Sequence, residues 1–371
     1  MPEPQVRASR NVTLEGVARQ AGVSRATAAR VVNGSAAVSP EARQAVERAI
    51  EELDYMPGAS SKAAPKYTSN SVGVVITEPT TKLFGDPFFS PLLKGIYAAL
   101  AERSLLLVML APQSARDLEL AQAYLLDKHV DGVILASLHG DVELPARLSR
   151  EGIPMVLCGR PPRGVKASFV DSDNRQGAAL AVNHLLSLGR RKIATIAGNL
   201  DMPGAVDRLL GYREALIAAG IPLDPTLEEV ADYVPDRAHM AMERLLLNHP
   251  DVDAVFAASD LMASAAMRVL AQSRRRVPED VAIIGFDDSP TARVAHPRLS
   301  SIRQPIEEMG HETVAVLLRE MEDPEEAPRQ VIFTTELVVR ESTVGAAAVG
   351  GSILRELPLD LTVCPLPQRP D

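Results

Sequence analysis

The sequence has 371 residues, 46% of them hydrophobic and 23% charged, with a formal net charge of −9. That length implies two or three domains, each with its own core, and the balance excludes a disordered or fibrous chain. No apolar run reaches the roughly 18 residues that a membrane span needs, and the charges near the start are followed by no apolar segment, so neither an anchor nor a secretory signal is expected.

Two cysteines, Cys158 and Cys364, lack metal-ligand spacing and suit a reducing, cytoplasmic compartment; Cys158 reads as a small core residue. The charge is unevenly spread. Residues 1–35 hold five Arg against two Glu, a balance of +3, which leaves −12 for the rest of the chain. A basic head on an acidic body fits a nucleic-acid reader with a separate regulatory part.

In the head, Thr13 can cap a helix whose Leu14, Val17, Ala18 and Ala21 form one apolar stripe. Gly22 stops it, Val23 plugs the turn, and Ser24 caps a second helix from Arg25 to about Val32. On that second helix Ala28, Val31 and Val32 point inward, while Arg25, Ala26, Ala29 and Arg30 share the other face. Small residues let a helix sink into a major groove about 12 Å wide, and the arginines can then reach base edges or phosphates. A third helix opens at Ser39-Pro40-Glu41 and buries Ala42, Val46, Ala49, Ile50 and Leu53. Spacing alone also allows an ordinary three-helix bundle with two solvated arginines.

The order of residues from Val12 to Ser24, then Arg30 to Gly34 and Val38-Ser39, resembles the headpiece of the lactose-repressor (LacI/GalR) family without a gap. The resemblance implies a helix-turn-helix DNA-binding headpiece over residues 1–57. It puts Arg25, Ala26 and Arg30 at base-reading positions and Thr13, Ser24, Thr27, Asn33 and Ser39 at phosphate positions, with Leu14 beside them. Residues 58–69 form the hinge, where the sequence departs from the family. Gly58 replaces an asparagine, and Ala64 replaces the leucine that wedges open the minor groove, which predicts a less kinked operator. Lys62 remains for the minor groove or a phosphate.

From residue 70 to 345, strand-length apolar runs alternate with helix-period segments. Strands are expected at 72–76, 105–110, 133–136, 155–157, 193–197, 254–257 and 281–285, and the uncharged stretch from Ser104 to Ala115 reads as core. Amphipathic stretches lie at 92–101, 178–188, 208–219 and 261–271. Such alternation predicts an α/β core with parallel sheets covered on both faces, in two lobes with a ligand cleft at the strands' carboxyl ends. Lobe one is assigned to 70–172 plus 304–330 and lobe two to 173–303 plus 331–345. No GxGxxG, P-loop, HExxH or nucleophile elbow occurs, and the seven histidines form no ligand cluster, so no enzyme activity, metal or cofactor is expected.

Asp86-Pro87-Phe88-Phe89, Asp173 to Gly177, Arg208 to Tyr212 and Gly285-Phe286-Asp287-Asp288 resemble the effector-domain signatures of the same family, whose core is a periplasmic-binding-protein-like fold. The resemblance implies that Arg208 and Asp287 bond the effector's polar groups and that Phe88, Phe89 and Tyr233 line it. Asp86, Asp173, Ser259, Asp260 and Gln304 are further candidates. Asp287 could instead cap its own loop, and either phenylalanine could be plain core. A nucleobase or a phosphorylated sugar stays open as effector, but an ionised Asp86 disfavours a phosphate nearby, so a neutral carbohydrate is preferred. The last leucines are interrupted by Pro358 and cannot form a heptad, so residues 346–371 read as a loose tail and the assembly as a homodimer on an inverted repeat. Two rivals stand: a sugar scavenger with a vestigial head, and an enzyme with Asp287 or Asp288 as base.

Overall fold

The computed structural model describes residues 14–32, 38–53, 69–139, 143–323 and 327–345. The readings on Thr13, Asn33, Gly58, Lys62, Ala64 and the tail fall outside these residues. The chain divides into two compact units between residues 68 and 69.

The first unit has three helices: α1 (Leu14–Gln20), α2 (Arg25–Val32) and α3 (Pro40–Glu52). Val17, Ala18, Ala28, Val31, Val46 and Ala49 close one small core between them, with Val23 and Leu53 packed at its margin. Ser24 Oγ accepts from Thr27 N at 3.1 Å and Ser39 Oγ from Ala42 N at 3.3 Å, so both serines cap as their positions predict.

The second unit carries two six-stranded sheets. Its first lobe runs β1 (Ser71–Ile76), α4 (Thr80–Gly85), α5 (Phe89–Ala101), β2 (Leu106–Leu110), α6 (Ala115–Leu126), β3 (Gly132–Ala136), α7 (Glu143–Arg150), β4 (Met155–Cys158) and β5 (Ser168–Ser172). The second lobe runs α8 (Asn174–Ser187), β6 (Ile193–Ala197), α9 (Pro203–Ala218), β7 (Glu228–Val230) and α10 (Pro235–Asn248). It continues with β8 (Ala254–Ala257), α11 (Asp260–Gln272), β9 (Ala282–Asp287), α12 (Pro290–Val294) and β10 (Ser300–Arg303). The chain then returns to lobe one with α13 (Ile306–Glu322) and β11 (Gln330–Phe333), and ends in lobe two with β12 (Glu336–Val338) and α14 (Glu341–Val344).

The strand orders are β11-β5-β4-β3-β1-β2 and β12-β10-β9-β8-β6-β7, parallel throughout except that β12 runs antiparallel to β10. Strands β1, β3 and β9 are buried along their whole length, as helices on both faces require. The third passage between lobes falls after Phe333, because Gln330–Phe333 pair in parallel with 169–172 of β5. The boundary expected at 330/331 therefore moves three residues on. A second correction concerns the stretch from Ser104: β2 is an edge strand, and Leu106 and Met109 are exposed rather than core.

Helix contacts are close where glycine permits. A Cβ at Gly310 of α13 would meet Leu92 O of α5 at 2.4 Å, and one at Gly95 of α5 would meet Glu307 O at 2.0 Å, so these two helices cross backbone to backbone.

Candidate functional site

On α2, Arg25, Ala26 and Arg30 are exposed while Ala28 and Val31 are buried, so the face the spacing assigns to solvent is the face the structure leaves there. The ion pair between Arg25 and Glu15 is loose, at 3.9 Å with both side chains 71% exposed, and leaves the guanidinium free to take another anion. Thr27 Oγ1 lies 2.9 Å from Ser24 Oγ at the start of the helix.

The cleft of the second unit is built where the parallel strands end. Arg208, in the second turn of α9, is almost fully buried and held on several sides. Its Nε donates to Asn174 Oδ1 at 2.8 Å, and Nη1 donates to Ala258 O at 2.5 Å and lies 3.7 Å from Asp287 Oδ1. The guanidinium stacks 3.7 Å above the Phe286 ring. Asn174 Nδ2 donates in turn to Asp171 Oδ1 at 3.0 Å, so an acid, an amide and a cation form one fixed chain. At the base, Gln304 Nε2 donates to Asp287 Oδ1 at 2.6 Å and Gln304 Oε1 accepts from Ser172 Oγ, which ties the site to two of the segments that pass between lobes.

Aromatic walls face these polar groups. The Tyr233 ring lies over Gly198, where a Cβ would approach within 2.1 Å of it. Lys82 Nζ of lobe one sits 5.2 Å from the same ring, and the Phe88 and Phe89 rings meet edge to face at 5.5 Å. Tyr233 and Asp287 are both held at positive φ, 62° and 107°, a backbone cost that marks sites fixed by their surroundings.

Burial sets the charge states. It pushes the Asp171 carboxyl up to about 6 and raises Asp86; it raises Asp287 strongly, and Arg208 only partly offsets that. Burial alone would raise Glu78 too, but hydrogen bonds from His139, Lys82 and Ser137 outweigh it, and the net shift is downward.

Of the ten residues assigned to the effector, the structure brings Asp86, Phe88, Phe89, Arg208, Tyr233, Ser259, Asp287 and Gln304 to one cleft. Two do not line it. Asp173 caps α8 by accepting from Gln176 N at 3.0 Å. Asp260 is fully buried and braces the next loop, accepting from Ser289 N at 2.7 Å and Ser301 Oγ at 2.6 Å. Loop-capping work proposed as the alternative for Asp287 is done by Asp260 and by Asp288, whose carboxylate meets Arg340 at 2.6 Å and Arg303 at 2.8 Å. Sequence reasoning missed Glu78, Lys82, Ser137, Arg160, Asp171 and Asn174, which all line the cleft. Each lies in or within six residues of a strand's carboxyl end, and that rule could have found them. Cys158 is half-buried beside the cleft rather than core, and burial lifts its thiol to about 12, so it stays protonated.

Residues 13–58 match the model of bacterial regulatory proteins of the lacI family, and residues 182–343 match that of the periplasmic binding protein-like domain. The chain is 46% identical over 336 residues to the HTH-type transcriptional regulator CelR of Thermobifida fusca, covering 90% of this chain and 98% of that protein. This chain belongs to the lacI family. It is a DNA-binding transcription regulator, as the relatives of this family are, and not an enzyme. The ribose operon repressor of Halalkalibacterium halodurans is 32% identical over 90% of this chain and 97% of its own length. Among solved structures, the CelR–cellobiose complex matches with a TM-score of 0.72 at 46% identity, covering 89% of this chain and 99% of that one. The lac repressor dimer bound to operator and the anti-inducer ONPF matches with 0.68 at 26% identity, over 90% and 99%. No helix among the described residues is long and apolar enough to cross a membrane.

Proposed function

We propose that this lacI-family protein is a cytoplasmic repressor that reads an inverted-repeat operator through α2 and is controlled by a neutral disaccharide, with cellobiose as first candidate, held between its lobes. The observation that carries the reading is the Arg208–Asp287 pair facing Tyr233. A buried donor and a buried acceptor suit sugar hydroxyls, and the ring face suits sugar C–H surface. The cations of the lining are already engaged, which argues against a phosphorylated effector: Lys82 is bonded to Glu78, Arg160 to Asp207, and Arg208 to Asn174 and Ala258. The 46% identity to a protein seen with cellobiose supports the choice of sugar.

A homodimer is supported by exposed apolar side chains on both lobes. Leu106 and Val230 are exposed on β2 and β7, the end strands of the two sheets, and Tyr97, Ile217 and Leu247 are exposed on helices α5, α9 and α10. Two headpieces on such a dimer demand a two-fold operator. In that complex Arg25, Ala26 and Arg30 face bases, and Ser24, Thr27 and Ser39 face phosphates.

Selection of bound duplexes from random sequence, repeated with and without cellobiose, tests the reading. An inverted repeat whose retention changes with cellobiose is the expected result. Absence of any preferred duplex at low salt overturns the regulator, and a preferred duplex indifferent to cellobiose, with no heat of cellobiose binding, overturns the effector.

A further inference from the structure

At the rim of the cleft one imidazole is gripped from both lobes. His139 follows β3 in lobe one, and its Nε2 lies 3.0 Å from Oε1 of Glu78, which follows β1 in the same lobe. Its Nδ1 lies 3.1 Å from Oδ1 of Asp201, in the turn that leads into α9 of lobe two. Asn199 Nδ2, from the same turn, is 3.3 Å from that Nδ1, and Asn199 Oδ1 is fixed by accepting from Asp201 N at 3.2 Å. Glu78 Oε1 also accepts from Lys82 Nζ at 2.7 Å and from Ser137 Oγ. Among the described residues, Glu78, Lys82 and Asp201 are thus the charged groups around the ring.

A neutral imidazole has one N–H and can serve only one of the two carboxylates, whereas an imidazolium donates to both. We propose that His139 is a proton-operated clasp, which holds the lobes together across the cleft when its ring is doubly protonated and loosens them when it is not. In the neutral ring the proton stays toward Glu78. Nδ1 then turns a lone pair to Asp201 and keeps only the longer contact from the Asn199 amide. A second rim contact, Arg160 Nη2 to Asp207 Oδ2 at 3.0 Å, also spans the lobes and is common to the parent and the His139 and Asp201 variants.

The sign follows from linkage. Glu78, and then Asp201, raise the His139 pKa above the ordinary value, and Asp201 does so only while the lobes are together. Closure therefore takes up a proton, is favoured at low pH, and weakens as pH rises through the closed-state value. Because the rim is partly exposed, the gain is modest: a closing ligand should bind about two- to fivefold tighter at the acid end.

The inference rests on the cleft being the effector site, and two measurements separate the two claims. In the full-length chain carrying 13C-labelled histidine, the His139 signal should titrate above the ordinary range, and Asp201→Asn should lower it; a signal that titrates at the ordinary value, or that Asp201→Asn leaves in place, overturns the clasp without any ligand. Calorimetry with cellobiose between about pH 6.5 and 8.5 should then show affinity rising toward acid in the parent and a flatter profile in Asp201→Asn and in His139→Gln, with folding checked by thermal melts. The carboxyls of Asp86, Asp171 and Asp287 are common to parent and variant, so the difference reads His139 alone. Equal slopes in parent and variants overturn the clasp. No cellobiose heat in any of them overturns the proposed effector instead, and the labelled ring then decides the clasp by itself.

Discussion

The outer face of α2 and the floor of the cleft both present arginines for recognition, and they do so in opposite ways. Arg25 and Arg30 are exposed with no tight partner among the described residues, whereas Arg208 is buried and bonded to Asn174 and Ala258 with Asp287 close by. An exposed cation on a duplex gains by releasing counterions, so its binding depends on salt more than on exact placement. A buried cation acts by geometry: its partners fix it before any ligand arrives, and its contribution depends on every one of them staying paired.

Salt gives the largest test of that contrast. Operator affinity should fall by about three orders of magnitude or more between roughly 50 and 200 mM salt, while cellobiose affinity measured in the same buffers moves little. Equal salt slopes would erase the distinction. Next is Arg208→Met, which strands Asp287 and Asn174 without their cation. Cellobiose binding should weaken by about a hundredfold or more in calorimetry and the core should lose about 3 kcal/mol or more in denaturant titration, with headpiece contacts to DNA unaffected at low salt. Arg30→Ala should cost about 1–3 kcal/mol of operator binding and relax the preference at one base position in each half-site, leaving effector affinity unchanged. A uniform loss across all sequences would instead make Arg30 a phosphate contact.

The smallest effect sharpens the comparison from the packing side. Gly310→Ala pushes a methyl into Leu92 O across the α5–α13 crossing and should cost about 1–3 kcal/mol of core stability, read as a lower denaturant midpoint. The three-helix head has no comparable backbone contact at Gly22, where a Cβ would meet nothing within 4 Å and only the positive φ of 67° resists substitution.

The head was legible almost residue by residue because its signals are local: a cap, a stop and an apolar stripe repeat within a few turns. The lobes were legible as strand-helix alternation for the same reason. What the sequence hid depends on partners far along the chain. Asp173, Asp260 and Asp287 all follow strand-like segments, yet one caps a helix, one braces a loop and one faces the cleft, and their hydrogen bonds to Gln176, Ser289 and Gln304 alone tell them apart. Leu106 and Met109 belong to an apolar run that looks like core, but β2 ends its sheet and leaves them exposed. Glu78, His139 and Asp201 carry no motif; only the return of lobe two against lobe one brings them together.

The order in which the lobes are threaded has a consequence for synthesis. β11 reaches back to β5 across about 160 residues, and α13 packs on α5 across more than 200, so neither half of the core is complete until the ribosome has passed residue 333. The three small helices of the head close their own core by residue 53. A nascent chain therefore carries a folded head well before either lobe of its regulatory core can close.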